Sequence, residues 1–285
     1  MSDIAKPDIR AAFFDIDGTL IPFGPKSERT VPNDTVAALM VLRSQGVQLI
    51  VCTGRFVRFA KRVEEHFPMD GYATLNGQYC LIGEDDEVVR EVPVNEEDKE
   101  TMLGLLRAGE IVGIVNFSDE LFVTGTPERL EEVKDRWIMT PHKPIDEIDT
   151  DRPIYQFVLN AAPEEDERIQ ALTKHLITQR WEPTAVDIIQ EGGGKRKAME
   201  AYFEHLGIEP EQTIAFGDGA NDIPMLETAG IGVAMGNASD EVKAHADFVS
   251  DACDAGGIWN ALVDLGIIEG DRIERESIGQ ENGVS

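Results

Sequence analysis

Short apolar runs alternate with segments of helical period along most of the chain, the pattern of a parallel sheet flanked by helices. Arg10–Phe14 reads as the first strand. Pro32 opens a helix whose Val36, Leu39, Met40 and Leu42 are expected to face inward, and Gly46 closes it. Val47–Cys52 is an apolar run suited to a buried parallel strand. Arg55–Phe67 reads as a helix and Tyr72–Leu75 as a strand, with Asn76-Gly77 a hairpin turn into Tyr79–Ile82.

From Glu84 the texture changes. The polar stretch Glu84–Glu87 precedes a mixture of hairpins and helices. Ile111–Phe117 and Leu121–Thr124 flank Ser118-Asp119-Glu120 as a hairpin, Glu128–Trp137 and Glu164–Ile177 read as amphipathic helices, and Ile154–Leu159 is a strand between them. Strands near Arg180–Glu182 and Ala185–Ile189 close the region. After Gly192-Gly193-Gly194 the α/β pattern returns: helix Lys195–Leu206, strand Thr213–Phe216, helix Asn221–Thr228 and strand Ile231–Ala234. The expected fold class is therefore α/β, a doubly wound, Rossmann-like parallel sheet formed by residues 1–83 and 187–270. An α+β domain, residues 84–186, is inserted into it, and residues 271–285 form a polar tail read as disordered.

Composition narrows the class of partner. Lys and Arg number 26 against 54 Asp and Glu, a formal net charge of −28. Nucleic acids and anionic membranes need a local excess of cations, so neither is an expected partner. Three cysteines without C-x-x-C spacing, no apolar leader and no 18-residue apolar run lead to the expectation of a cytoplasmic protein. The sequence is silent on oligomeric state.

Four stations carry chemistry. Asp15-Ile-Asp17-Gly-Thr19 delivers two carboxylates from a strand into a glycine turn. At roughly a twentieth per fixed residue, such a pattern arises by chance in well under about one chain in a hundred. Thr53-Gly54-Arg55 follows the second strand, where a hydroxyl and a backbone N–H can cradle phosphate oxygens; taken in isolation, a plain turn capped by Thr is the favoured explanation. Lys195 opens a helix behind three glycines and either reaches a phosphate oxygen or is a solvated lysine. A nucleotide P-loop is excluded there, because that motif needs Gly at 189 and Ser or Thr at 196, and the chain has Ile189 and Arg196. Gly217-Asp218-Gly219-Ala220-Asn221-Asp222 is a second strand end rich in carboxylates, which repel one another unless a cation neutralises them; Mg²⁺ fits an oxygen-only set. Each station is expected at the carboxyl end of a parallel strand, the edge where open α/β sheets bind ligands.

In that order these residues resemble the haloacid dehalogenase superfamily, and within it the Cof-like class IIB phosphatases, over residues 10–265. The resemblance implies that Asp15 attacks phosphorus and that Asp17 shuttles the proton. It implies a Mg²⁺ held by the Asp15 carboxylate, the Asp17 carbonyl and Asp218, supported by Asp222. Thr53, Gly54, Lys195 and Asn221 would grip the phosphate, and Arg55 would either reach the substrate or pair with an acidic neighbour. The inserted domain becomes a cap over a small phosphorylated metabolite, with sugar phosphates the favoured class. A phosphomutase of phosphomannomutase type would use the same carboxylate pair, and a non-catalytic binding module would keep the fold alone. Arg196 stands where relatives usually carry Gly. Trp137, His142 and Tyr155 are candidates for the substrate rim.

Overall fold

A computed structural model describes residues 7–24, 30–138 and 140–273. Thirteen strands among these form two sheets. In chain order they are β1 (Ala11–Phe14), β2 (Gln48–Cys52), β3 (Gly71–Thr74), β4 (Tyr79–Ile82), β5 (Glu87–Glu91), β6 (Gly113–Asn116), β7 (Leu121–Thr124), β8 (Gln156–Asn160), β9 (Leu176–Glu182), β10 (Ala185–Gln190), β11 (Thr213–Gly217), β12 (Ile231–Ala234) and β13 (Phe248–Val249). The helices are α1 (Asn33–Ser44), α2 (Val57–Ala60), α3 (Glu96–Arg107), α4 (Pro127–Val133), α5 (Glu164–Leu172), α6 (Lys195–Leu206), α7 (Ile223–Leu226), α8 (Asp240–Ala244) and α9 (Gly257–Asp264).

The larger sheet runs β13-β12-β11-β1-β2-β3-β4-β5. Its first six strands are parallel, and β4 and β5 add an antiparallel edge. Successive residues of β1 point to opposite faces, so Ala12 and Phe14 pack with α1 and α9, while Ala11 and Phe13 pack with α6 and α7. Covering both faces explains why the parallel strands are apolar throughout and realises the expected doubly wound core.

The second sheet, β7-β6-β8-β10-β9, is antiparallel. One face holds Val115, Phe157, Leu159, Val186 and Ile188 against Met102, Leu103 and Leu106 of α3 and Ile169 of α5. The sheets do not divide at the expected insert boundaries. Glu87–Glu91 pairs with β4 in the larger sheet, and β10 keeps residues 187–190 in the smaller one.

Other expectations differ from the structure for local reasons. Met40 is 59% exposed, because the buried stripe of α1 runs through Thr35, Ala38, Leu39 and Leu42. The helix expected over Arg55–Phe67 is a turn of α2 followed by a 3-10 segment, Lys61–Glu65. The helix expected to Ile177 stops at Leu172. Asp98 accepts hydrogen bonds from the backbone N–H groups of Lys174 and His175, at 2.8 and 2.9 Å, drawing the chain out into β9. The two expected helices Glu128–Trp137 and Asn221–Thr228 shorten to α4 and to a 3-10 turn plus α7. The expected tail lies outside the described residues from position 274 onward. Among the described residues, no helix is long and apolar enough to cross a membrane.

Candidate active site

Parallel register places two of the stations side by side. Phe14 of β1 pairs with Phe216 of β11, and the Asp15 N–H donates to the Phe216 carbonyl at 3.0 Å. Asp15 and Asp218 therefore leave adjacent strands at the same edge. Thr53 follows β2 on the other side of β1, where Phe14 pairs with Val51. Lys195 arrives differently from expectation. It follows β10 of the antiparallel sheet, and the chain re-enters the core through Gly192–Gly194, so the lysine reaches the strand edge from the first turn of α6.

Lys195 is only 2% exposed. Its ammonium donates to Asp15 Oδ1 at 2.7 Å and to Asp222 Oδ1. Asp222, fully buried, uses its other oxygen to accept the N–H groups of Asp218 and Gly219 at 3.0 and 2.9 Å. One carboxylate thus fixes both the lysine and the loop that carries Asp218. Asp218 in turn accepts from Thr19 Oγ1 at 3.0 Å and from Asn237 Nδ2 at 3.2 Å. Asn237 also donates to the Gly18 carbonyl, clamping the first loop to the fourth. Gly18 has φ +83°, and a Cβ there would lie 2.1 Å from Asp218 Oδ2, so this turn admits only glycine.

Burial sets the electrostatics. Desolvation pushes the Asp15 carboxyl up to about 8 despite the pull of Lys195, with Asp222 and Asp17 adding to the rise. Asp218 is pushed up to about 7 by burial and then by Asp222. Burial alone would lower the Lys195 ammonium, but Asp15 and Asp222 outweigh it and the net direction is upward. One buried ammonium faces three carboxylates, which leaves the cluster short of positive charge.

Oxygens of Asp15, Asp218 and Asp222 lie within 4.8 Å of one another. An all-carboxylate set fits a hard, oxygen-seeking cation such as Mg²⁺. Asp17 does not bring its side chain to this group. Both of its oxygens accept from Arg55, at 2.7 Å from Nε and 2.7 Å from the terminal nitrogen. Of the two roles expected for Arg55, the pairing with an acidic neighbour is the one seen here.

The cradle beside Asp15 comprises Thr53, Gly54 and Asn221. Thr53 Oγ1 accepts the Arg55 N–H at 3.2 Å, which shapes the turn. Asn221 donates to Asn76 Oδ1 at 3.2 Å. Above them lies a cavity of about 560 Å³, floored by Asp15, Asp17, Thr53, Gly54, Asp218 and Asn221. Its roof is the free face of the smaller sheet, where Ile114, Asn116, Gln156, Val158 and Asp187 alternate with the core residues already described. Of the rim candidates, Trp137 lines this cavity. Tyr155 is buried and donates to Glu91 at 2.8 Å, and His142 is exposed with Nδ1 beside the Thr140 carbonyl. Arg196 points outward to Glu200 at 3.1 Å, so it leaves the lysine undisturbed.

Sequence reasoning assigns no role to Thr19, Asn76, Asn237 or Asp187. Thr19 stands inside the first motif, and Asp187 is a lone charge in the apolar run Ala185–Ile189, a signal that was available. Asn76 is hidden by its resemblance to a hairpin turn. Nothing local marks Asn237.

A family model for haloacid dehalogenase-like hydrolases matches residues 12–262. Pyridoxal phosphate phosphatase YbhA of Escherichia coli K12 is 30% identical over 265 residues, covering 84% of this chain and 92% of that protein. The 5-amino-6-(5-phospho-D-ribitylamino)uracil phosphatase YcsE of Bacillus subtilis is 27% identical over 258 residues, covering 90% and 95%. Among solved structures, the subclass IIB sugar phosphatase BT4131 matches with a TM-score of 0.79 at 31% identity, over 91% of this chain and 100% of that one. The phosphatase BT1666 of Bacteroides thetaiotaomicron matches with a TM-score of 0.83 at 28% identity, over 94% and 100%.

Proposed function

The chain belongs to the haloacid dehalogenase-like hydrolase family, with Cof-like class IIB phosphatases as its relatives, and on that premise we propose a Mg²⁺-dependent phosphatase of small phosphomonoesters. The observation that carries the reading is the gathering of Asp15, Lys195, Asp218 and Asp222 at one sheet edge beneath a roofed cavity.

Asp15 is the nucleophile. Lys195 pins Oδ1, while Oδ2 accepts no hydrogen bond among the described residues. Attack forms an aspartyl phosphate as the alkoxide departs. Asp17 protonates the leaving oxygen and then takes the proton from the water that hydrolyses the intermediate. With both oxygens accepting from Arg55 it is arranged for the second task, so the first requires Arg55 to release it. Thr53, the Gly54 N–H, Lys195 and Asn221 hold the non-bridging oxygens, where positioning and charge neutralisation carry most of phosphoryl-transfer catalysis. Asp15, Asp218 and the Asp17 carbonyl, with Asp222 behind them, would hold Mg²⁺, which would supply the positive charge that the cluster lacks.

The insert acts as the cap. Trp137, Trp181, Phe56 and Phe59 give the cavity apolar walls, and Asn116 and Gln156 offer amides to hydroxyl groups. That mixture and volume suit a sugar phosphate. The test is a panel of phosphorylated metabolites with Mg²⁺, reading released phosphate. Turnover that stops with EDTA supports the reading. Activity indifferent to EDTA, or isomer formation without phosphate release, overturns it.

Protons compete with the cation at raised carboxyls. With Asp218 near 7 and Asp15 near 8, Mg²⁺ affinity is expected to weaken about tenfold per unit as pH falls from 8 to 7, and up to about a hundredfold per unit below 7, where both carboxyls hold protons. Stability of the metal-free chain moves oppositely. A carboxyl raised above its unfolded value of 3.8 stabilises the fold at low pH and loses that contribution as pH rises through about 8. Thermal melts without metal are therefore expected to worsen from pH 5 to 8, and added Mg²⁺ to help most at pH 8. Calorimetric titrations giving equal affinity at pH 6 and 8 would contradict this.

A further inference from the structure

Leu75, Asn76 and Gly77 are three successive residues with positive φ, at 53°, 55° and 78°. The left-handed region costs a residue such as leucine of order 1–3 kcal/mol and persists only where the surroundings demand it. The strained turn drives the Asn76 side chain, fully buried, between the two sheets. There Nδ2 donates to Asp187 Oδ2 at 2.7 Å and to Gln156 Oε1 at 3.3 Å, both on the smaller sheet. Its Oδ1 accepts from Asn221 Nδ2 at 3.2 Å. Asp187 Oδ1 accepts from the Trp181 indole N–H at 2.9 Å. Trp181 falls at the irregularity where β9 slips past β10, between the pairs Glu182–Ala185 and Arg180–Val186.

The direction of this chain of bonds is dictated by its members. An indole nitrogen only donates and a carboxylate only accepts, so Asp187 presents acceptors to both neighbours. The Asn76 amide must turn its nitrogen to Asp187, which leaves its oxygen for Asn221. Asn221 must then present nitrogen to Asn76, and its second N–H remains for a ligand. Reversing Asn76 would set two oxygens 2.7 Å apart and two amide nitrogens face to face. The same groups underlie the cradle: a Cβ on Gly54 would lie 3.2 Å from the Asn76 amide and 3.3 Å from Asp187 Oδ2.

We propose that Asp187, a residue of the smaller sheet, is a positioning residue that acts through Asn76 to keep Asn221 presenting a donor to the bound phosphate. A carboxylate near an anion site is otherwise unfavourable; here both oxygens are occupied and its acceptor-only character is what the network uses. This rests on the phosphatase reading, in which Asn221 grips the phosphate. It also links the cap to the grip, because the acceptors that orient Asn76 belong to β8 and β10.

The test uses the full chain with Mg²⁺, p-nitrophenyl phosphate as substrate and inorganic phosphate as competitive inhibitor. Asp187→Asn keeps shape but abolishes the enforced direction. It is expected to lower kcat about tenfold and raise the phosphate inhibition constant about tenfold. Mg²⁺ affinity is expected to stay as in the wild type. Adding Asn76→Asp restores an acceptor-only group facing Asn221, now fed by the amide introduced at position 187, and is expected to recover most of both losses. Wild-type constants in Asp187→Asn, or a double variant no better than the single one, overturn the proposal. Should Asp187→Asn fold poorly, Trp181→Phe removes the anchoring donor from an exposed position and is expected to raise the inhibition constant about threefold; no change there overturns it too. A wild type without turnover or phosphate inhibition defeats the phosphatase reading itself, an outcome distinct from an active wild type matched by Asp187→Asn.

Discussion

Asp15→Asn is expected to lower turnover of p-nitrophenyl phosphate at least ~10³-fold, since an amide cannot serve as the attacking group. The substitution preserves volume and still offers Lys195 an acceptor where Oδ1 now lies at 2.7 Å. It also removes one of three crowded carboxylates whose oxygens lie within 4.8 Å. The fold therefore loses little. The metal-free variant is expected to melt no lower than wild type at pH 8, where burial makes the Asp15 charge unfavourable. Measuring turnover and melting side by side separates lost chemistry from lost structure. A variant retaining more than about a tenth of the activity would sink the nucleophile assignment, because the neighbouring carboxylates Asp218 and Asp222 are held in place by other donors.

Lys195→Met is expected to damage both properties. The ammonium is almost fully buried and bridges Asp15 and Asp222, neither of which meets another cation among the hydrogen bonds of the described residues. Breaking a buried ion pair from one side leaves uncompensated charge and costs roughly 3–5 kcal/mol. For a chain of this size that is a fall in melting temperature on the order of 10 °C. The loss is expected to be larger at pH 8 than at pH 5, because the orphaned carboxyls can stay protonated in acid. Turnover is expected to fall at least ~10²-fold through lost phosphate neutralisation and a loosened nucleophile. Scanning calorimetry at the two pH values reads the first effect. Equal melting of variant and wild type at pH 8 would show that the buried triad does not behave as a coupled unit.

Much of this site was legible before any coordinates. Asp15, Thr53, Gly54, Asp218 and Asn221 follow apolar strands directly, and a strand ending in a glycine turn aims its next side chains at one edge. That relation is local, so periodicity and turn chemistry reveal it. The buried network of Asn76 and Asp187 was not legible as a site. Asn-Gly after a strand reads as a hairpin turn, and it does join β3 to β4; its second use depends on residues 80 and 111 positions away. Helix α3 carries its start signals in the sequence, with Asn95 as cap and Glu96, Glu97 and Asp98 in the first turn, and Met102, Leu103 and Leu106 as its apolar stripe. The helix expected through Ile177 fails because Asp98, distant in sequence, captures two backbone N–H groups.

The chain order of the core strands β1, β2, β3, β11 and β12, the doubly wound core and the identity of the carboxylates at its edge were determined by the sequence alone, since each follows from burial and turn preferences acting over a few residues. Tertiary structure decided which carboxylate meets which donor: Arg55 turned onto Asp17, Lys195 shared between Asp15 and Asp222, and Asn76 oriented by Asp187 across two sheets. Hydrogen bonds and ion pairs between segments 27 to 180 residues apart have no periodic signature, because their geometry exists only once both backbones are packed.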